Sequence, residues 1–366
     1  MNADLVYQLA LTLVPQIGDV HARILLQHFG DARSIFSARL HQLEKLEGIG
    51  LVRATAIKQF ADFHLAEAEA AYVEKFRIRV LFLDDPAYPR RLLNCYDAPT
   101  LLFYKGTADL NAKRMLAIVG TRSQTEYGKT FTETLVSDLA SEGVTIVSGL
   151  AFGIDATAHK AAVKNNLPTV GVVGHGLARI YPAAHAGLAR DMVEAGGGVL
   201  SEFFSGTMAD KHHFPLRNRV VAGLCDATVV VETAVKGGSM ITAKMAGEYN
   251  RDVFAVPGRT TDKNSAGCLH LVRQNKAMVL TSAADLIDIM GWREASVGAR
   301  KQRALFVDLT KEETAVLDIL REKELVPIDE LNLRSGLSSS TVAAALLNLE
   351  LNGIVTALPG KLYKLT

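Results

Sequence analysis

A glycine-containing stretch, AIVGTRSQTEYGKT at residues 117–130, contains the elements of two different phosphate-binding devices. It ends in Gly-Lys-Thr like a P-loop, but a P-loop has four residues between its first glycine and that triplet. Seven residues separate Gly120 from Gly128, and Ser123 occupies the position that the first glycine would need. The three-glycine dinucleotide fingerprint is missing too. The spacing therefore argues against ATP hydrolysis, and we expect Lys129 to lie within a helix and face solvent.

The front of this stretch, by contrast, is suited to anion binding. Gly120, Thr121, Arg122 and Ser123 follow an apolar run and come just before an amphipathic stretch. Unpaired N–H groups and the helix dipole favour anions at a helix N-terminus. Arg122 adds a planar guanidinium that matches phosphate oxygens. We predict that this loop holds phosphate without consuming a nucleotide.

Two later segments repeat the design. Ser148 and Gly149 end a predicted strand before the helical SGLAFGIDATAHKAA, in which Gly153 allows close approach of the backbone. The triplet Gly237, Gly238 and Ser239 follows another strand at the start of a helix. The sequence thus predicts three anion sites on one edge of a sheet.

The segment KHHFPLRNRVVAGLCDA, 211–227, is the densest cationic cluster of the chain. It combines Lys211, Arg217 and Arg219 with two histidines and one aromatic residue, Phe214. Cations next to an aromatic ring suit a single-stranded nucleic acid, whose phosphates pair with the charges while a base stacks on the ring. We favour this interpretation over a solvated turn.

Three side chains could do acid–base chemistry. Asp155 and His159 are four residues apart and share a helix face, but no third ligand completes a metal site, so we expect structural roles. Glu232 at a strand end could be a general base or could hold a nearby arginine. We predict no catalytic residue, metal or cofactor.

The elements that must position these residues alternate regularly between 115 and 290. Apolar strand candidates lie at 115–120, 144–149, 168–174, 197–202, 227–233, 252–258 and 277–282, with amphipathic helical stretches between most of them. Such alternation predicts an α/β fold, an extended Rossmann-like, doubly wound and mainly parallel sheet, with the ligand crevice at the carboxyl ends of its strands. Residues 77–290 form this predicted domain, with 80–110 as an extended entry segment.

The flanking regions differ in character. Residues 1–76 read as helices with two copies of one unit, in which Ile17-Gly18 aligns with Ile49-Gly50. This predicts a helix-hairpin-helix or SAM-like domain, which either contacts phosphate or serves only for packing.

A polar linker, 291–306, precedes residues 307–366, whose pattern of helices followed by a hairpin predicts a winged helix. Its recognition helix, SSSTVAAALLNLELNG, carries Glu350 as its single charge. DNA binding is therefore less favoured than a protein-contact or structural role.

Composition agrees with a globular protein. The 366 residues are 49% hydrophobic and 22% charged, with a net charge of +1. A nucleic-acid site must then be a local patch made by folding. The three widely spaced cysteines fit reduced thiols in the cytoplasm, and no run is long enough to span a membrane.

The motifs VGTRSQTEYG, SGLAFGIDATAHKAA, FPLRNRVVAGL, VVVETAVKGGSMITA and DVFAVPG occur in this order. In them the chain resembles the DNA-processing protein A (DprA/Smf) family over about 80–290. The resemblance implies a homodimer that binds single-stranded DNA and loads RecA onto it in natural transformation. It also implies protection of the strand and help in displacing single-strand-binding protein. Arg122, Lys211 to Phe214, and the Arg217, Asn218 and Arg219 triplet would line the DNA pocket.

A rival interpretation is a nucleotide phosphoribohydrolase, a related Rossmann group whose PGGxGTxxE motif falls at KGGSMITAK. The chain departs from that motif at Lys236, Met240, Ile241 and Lys244, the last standing where the catalytic glutamate would be. Loss of that carboxylate makes glycosidic cleavage the weaker hypothesis.

Overall fold

The computed structural model describes residues 3–293, 309–323, 325–358 and 361–366. The described chain falls into two compact units, one up to Arg293 and one after it. The predicted linker, 291–306, lies outside the described residues from position 294 on. Within the described ranges, no helix combines the length and the apolar character that crossing a bilayer requires.

The first unit alternates helices and strands. Its helices are α1 (Ala3–Leu13), α2 (Asp19–Phe29), α3 (Ala32–Ser37), α4 (Leu40–Glu44), α5 (Gly50–Lys58), α6 (Phe63–Lys75), α7 (Arg90–Leu93), α8 (Glu126–Asp138), α9 (Ile154–Lys164), α10 (Ala186–Glu194), α11 (His213–Leu224), α12 (Gly238–Glu248), α13 (Ala266–Arg273) and α14 (Ala283–Ile289). Its strands are β1 (Arg79–Phe82), β2 (Leu101–Gly106), β3 (Met115–Val119), β4 (Thr145–Ser148), β5 (Thr169–Val173), β6 (Gly198–Ser201), β7 (Ala227–Val230), β8 (Asp252–Ala255) and β9 (Met278–Val279).

In the described residues these strands form one nine-stranded sheet with the order β1-β2-β6-β5-β4-β3-β7-β8-β9. The strands from β3 to β9 pair in parallel, whereas β1 and β2 are antiparallel additions at one edge. The predicted mainly parallel, doubly wound α/β sheet is therefore confirmed, and the entry segment supplies the two antiparallel strands. Strand order reverses between β3 and β7, which is where such sheets open a ligand crevice.

Both faces of the sheet are covered, as the continuous apolar strands predict. Along β3, Met115, Ala117 and Val119 pack into a core with residues of α11 and α12. The alternating Leu116 and Ile118 pack into a second core with residues of α8 and α9. The helices that carry the predicted site residues are thus anchored on opposite faces of one strand.

The helical repeat at the N-terminus is present, with one of its two glycines in the expected conformation. The α1–α2 and α4–α5 turns are closed by equivalent bonds, Ile17 N to Val14 O at 3.2 Å and Ile49 N to Leu46 O at 3.1 Å. The expected positive φ occurs at Gly50 (+63°), but Gly18 has an extended backbone with φ of −97°. These helices share a hydrophobic core with β1 and β2.

The second unit contains α15 (Lys311–Glu322), β10 (Val326–Pro327), α16 (Ile328–Ser335), α17 (Ser339–Leu351), β11 (Val355–Leu358) and β12 (Leu362–Leu365). Among the described residues of this unit, three helices and a three-stranded antiparallel sheet, ordered β10-β12-β11, make the predicted winged helix. In α17, Ser338 caps the first turn by accepting from Thr341 N.

Candidate nucleic-acid interface

A cavity of about 470 Å³ opens at the carboxyl ends of β3, β4 and β7, at the reversal of strand order. Most of the predicted site residues line it: Gly120, Thr121, Arg122, Gly149, Lys211, Phe214, Arg217, Asn218, Gly237, Gly238 and Ser239. Ser123, Ser148 and Arg219 are not among its lining residues. The fold therefore gathers segments more than a hundred residues apart in the chain into one concave surface.

Close backbone packing positions the loop after β3. Thr121 N donates to Glu232 O at 2.7 Å, and Ile154 N donates to Thr121 O at 3.2 Å. Gly153 has a φ of +78°, and a Cβ there would overlap Thr121 O and the backbone of Arg122. The predicted close approach at Gly153 is thus confirmed, and it brings the start of α9 against the Arg122 loop.

The N-terminus of α8 is already occupied by a carboxylate of the protein. Glu232, which is 2% exposed, accepts from Thr125 N at 2.9 Å and from Thr125 Oγ1. Gly128 leaves room for this group, since a Cβ there would lie 2.5 Å from Glu232 Oε2. Glu232 therefore anchors a helix start, and its contacts are with Thr125 instead of the arginine that was one of the two expected alternatives.

Gly120 to Ser123 lie before the start of α8 and are not themselves its first turn. The helix begins only at Glu126, and Ser123 N is itself directed to Thr121 Oγ1 at 3.2 Å. In this loop the exposed Arg122 side chain is available to an anion.

The loop before the second predicted terminus, at α9, is held by a carboxylate of the protein. Asp155 accepts from Gly149 N at 3.1 Å and from Ala151 N at 3.4 Å. Burial raises the pKa of Asp155, while the neighbouring Arg217 opposes that shift. Ser148 is buried and donates its hydroxyl to Ile118 O at 2.6 Å, so it faces the sheet rather than a ligand.

The third terminus, at α12, is open toward the cavity. Its N-cap is Gly237, which provides no side-chain cap, and the helix begins at the exposed Gly238. A Cβ at Gly238 would meet no atom within 4 Å, so there is space in front of the first turn. This terminus lines the cavity and combines an open helix dipole with room for an anion.

Of the cationic residues that line the cavity, two are exposed at its side and one is buried at its floor. Arg122 and Lys211 are exposed, Phe214 is half-buried, and the Arg122 guanidinium lies 5.4 Å from the Phe214 ring centre. Arg217 is buried at the base and donates to Gly149 O and, at 2.6 Å, to Val172 O. Gly149 makes this possible, because a Cβ there would overlap the guanidinium.

Arg219 is placed elsewhere. Its guanidinium is buried, pairs with Asp19 at 3.0 Å and with Glu202, and donates to Asp97 O. Asp19 also accepts from Thr100 N at 2.7 Å. Arg219 thus joins the N-terminal helices to the sheet. The contacts of Asp19 with Thr100 and Arg219 mean that the start of α2 is occupied by groups of the protein itself.

Two further expectations concern side chains outside the cavity. His159 is fully buried with Nδ1 at 2.7 Å from Thr169 Oγ1, and burial lowers its pKa to about 3, which confirms a structural role. Lys129 lies within α8, as predicted from the spacing that excludes a P-loop. Its Nζ is 3.8 Å from Glu126 Oε2.

Sequence reasoning missed one aromatic residue. Tyr181 is 53% exposed, and its ring centre lies 6.2 Å from that of Phe214. The signal in the sequence was weak, a tyrosine followed by proline in the long connection after β5.

A doubly wound sheet with a basic, partly aromatic crevice and a winged helix defines a class of nucleic-acid-handling proteins. Residues 79–291 match the family model of DNA recombination-mediator protein A, and residues 301–361 match that of the DprA winged helix domain. The chain belongs to this DprA/Smf family.

Relatives of known sequence match most or all of the chain. Protein Smf of Synechocystis is 32% identical over 99% of both chains. The DNA processing protein DprA of Streptococcus pneumoniae is 43% identical over 63% of this chain and 78% of its own. Protein Smf of Escherichia coli is 34% identical over 82% of this chain and 80% of its own.

Two solved structures share the fold. The S. pneumoniae DprA structure superposes with a TM-score of 0.66 at 34% identity, covering 77% of this chain and 96% of that one. The DprA of Helicobacter pylori, studied for its single-stranded DNA binding mode, gives 0.53 at 30% identity, covering 58% and 95%.

Proposed function

We propose that this protein binds single-stranded DNA in the cavity at the carboxyl edge of its sheet and mediates recombination without chemistry on the strand. The observation that carries the proposal is the grouping of the exposed Arg122 and Lys211, the Phe214 ring and the open start of α12 around one cavity. Phosphates would pair with the two cations and the helix terminus, and a base would stack beside Phe214.

The family and one relative support the choice of ligand. The matching family is described as a recombination mediator, and the H. pylori relative binds single-stranded DNA. We extend this to the finer role that the family resemblance implies. As a homodimer in the cytoplasm, the protein would load RecA onto incoming strands during natural transformation, protect those strands and help displace single-strand-binding protein.

The site contains no arrangement that favours the rival nucleotide phosphoribohydrolase. Lys244, which stands where that group has its catalytic glutamate, is 73% exposed and contacts Glu248 at 3.4 Å. It is not among the residues that line the cavity. Asp155, which lines the cavity, and Glu232, at the end of β7, accept backbone N–H groups and hold the loops.

The winged helix would contact a protein or stabilise the chain. Its helix α17 has no lysine or arginine. It exposes Leu347 and Leu351 instead. Leucines do not pair with phosphates, so this surface fits a protein better than a DNA backbone.

A filament assay tests the proposal directly. RecA would be added to circular single strands coated with single-strand-binding protein, and assembly followed with and without this protein. We expect assembly to depend on the protein and to be lost with Arg122→Ala, while Lys129→Ala, which alters the P-loop-like lysine, behaves as wild type. The absence of any stimulation, or cleavage of nucleotides by the protein, would overturn the proposal.

A further inference from the structure

Two large aromatic side chains stand exposed beside the cavity rather than inside it. Tyr181 is 53% exposed, in the connection after β5, and Phe152 is 48% exposed, in the loop between β4 and α9. Neither ring is needed to fill the core. Exposed rings next to a phosphate-binding crevice are a means of stacking bases in single-strand binders.

The backbone of Tyr181 is held in place by a buried histidine. Tyr181 N donates to Nε2 of the buried His175 at 3.1 Å, and the other ring nitrogen, Nδ1, lies 2.9 Å from Gly176 O. Ser201 Oγ donates to His175 O at 2.6 Å, which ties this loop to the end of β6. Tyr181 is thus presented in a set position, with its ring tilted by 34° to that of Phe214.

Phe152 is joined to the same loop. Its ring meets the His185 ring edge-to-face at 4.7 Å, and His185 Nδ1 lies 2.9 Å from Leu150 O. His185 is only four residues beyond Tyr181. The neighbour of Phe152 in the chain, Ala151, lines the cavity. The loops carrying both rings therefore lie together at the rim.

We propose that Phe214, Tyr181 and Phe152 form an aromatic track on which successive bases of one DNA strand stack as the strand leaves the cavity. The ligand at the outer part of the track is any nucleobase, because every base has a π-face. The exposed Arg179, two residues before Tyr181, gives the strand a cation on this side. This inference rests on the proposed function and adds the course of the strand.

The track predicts a dependence on strand length. Tyr181→Ala should weaken binding of an oligothymidine of about ten nucleotides by roughly 5- to 100-fold, the usual effect of one lost stack. A strand of about four nucleotides, held in the cavity, should bind both proteins alike. The salt dependence should not change, because no phosphate contact is lost. Phe152→Ala should act in the same direction.

A strand without bases separates stacking from a structural effect. An abasic strand of the longer length has the same phosphates, so wild type and Tyr181→Ala should bind it equally. Tyr181→Trp should keep wild-type affinity for the normal strand. Tyr96→Ala is the matched control, since Tyr96 is 65% exposed and contacts Tyr249 beyond the far end of α12. We expect it to have no effect.

Two kinds of failure are distinguishable. If the longer strand binds wild type in an Arg122-dependent manner but binds Tyr181→Ala and Phe152→Ala equally well, the track is wrong and the cavity stands. The same conclusion follows if Tyr181→Ala weakens normal and abasic strands equally. If wild type binds no single strand, the proposed function itself fails and the track with it.

Discussion

The guanidinium of Arg122 lies over the ring of Phe214, with 5.4 Å between its central carbon and the ring centre. The two residues come from the loop after β3 and the first turn of α11. A cation over an aromatic ring is stabilised by about 0.5–1 kcal/mol at an exposed site. The contact also orients both groups, so that one segment presents a charge for phosphate and the other a surface for a base.

Arg122→Ala and Lys211→Glu should each remove most of the affinity for single-stranded DNA. Charge-assisted hydrogen bonds contribute about 1.5–3 kcal/mol each, so Arg122→Ala should raise Kd by about one to two orders of magnitude. The slope of log Kd against log salt should shrink by about one for each lost contact. Fluorescence anisotropy at several salt concentrations measures both quantities.

Lys129→Ala is the control for this pair. Lys129 is a cation of the same region but lies on α8 beside Glu126. Its removal should leave Kd and the salt slope as they are. Wild-type affinity in a folded Arg122→Ala protein, or loss of affinity in Lys129→Ala, would contradict the assignment of the site.

Gly153→Ala should reduce DNA binding through the backbone alone. Gly153 has a φ of +78°, and a methyl group there would overlap Thr121 O, so the Arg122 loop must move. Thermal unfolding and anisotropy should show a lower Tm together with weaker binding. Gly187→Ala, at a position where a Cβ meets no atom within 4 Å, should change neither. Normal binding by Gly153→Ala would show that the loop position is unimportant.

Glu232→Ala should destabilise the fold by about 1–3 kcal/mol, because the start of α8 loses a buried acceptor. Glu232→Gln keeps one acceptor oxygen and should cost less. Urea unfolding gives the free energies, and Glu126→Gln, whose carboxylate is 89% exposed, should stay within about 0.5 kcal/mol of wild type. Equal stability of Glu232→Ala and wild type would refute the anchoring role.

Stability should fall on acidification, in part through His159. Burial lowers its pKa to about 3, so below the ordinary value of 6.5 the unfolded chain takes up a proton that the folded chain does not. Between these values this group removes about 1.4 kcal/mol of stability per pH unit. Urea unfolding at pH 7, 6 and 5 should show a shallower decline for His159→Gln than for wild type. The exposed His212→Gln should keep the wild-type decline, and identical slopes for all three would contradict the prediction.

Deletion of residues 300–366 should leave single-strand affinity largely intact. The cavity lies wholly in the first unit, and α17 lacks lysine and arginine. A titration of the shortened protein against the same oligonucleotide measures this. A collapse of binding in a shortened protein that remains folded would assign the winged helix to DNA.

Much of the architecture could be predicted because it depends on local patterns. Apolar runs alternating with amphipathic stretches predicted the parallel strands, and equal spacing around Ile17 and Ile49 predicted two similar helical hairpins. Spacing also excluded the P-loop, since Ser123 stands where a glycine is required. These features follow from which residues neighbour each other in the chain.

Local patterns could not predict which helix starts and which cations are free to contact a ligand. Three strand ends looked alike in sequence, yet Glu232 occupies the start of α8 and Asp155 holds the loop before α9, whereas the start of α12 carries the exposed Gly238 at the cavity. Arg217 and Arg219 are two residues apart, and one forms the floor of the cavity while the other pairs with Asp19 and Glu202.

The sequence by itself determined the order of the strands and helices, the glycines that permit close approach, and the cations and aromatic residues from which a DNA site could be built. The tertiary structure decided which of them face a ligand. The physical reason is that a buried polar group must find a partner, and that partner comes from whichever distant segment the sheet brings alongside.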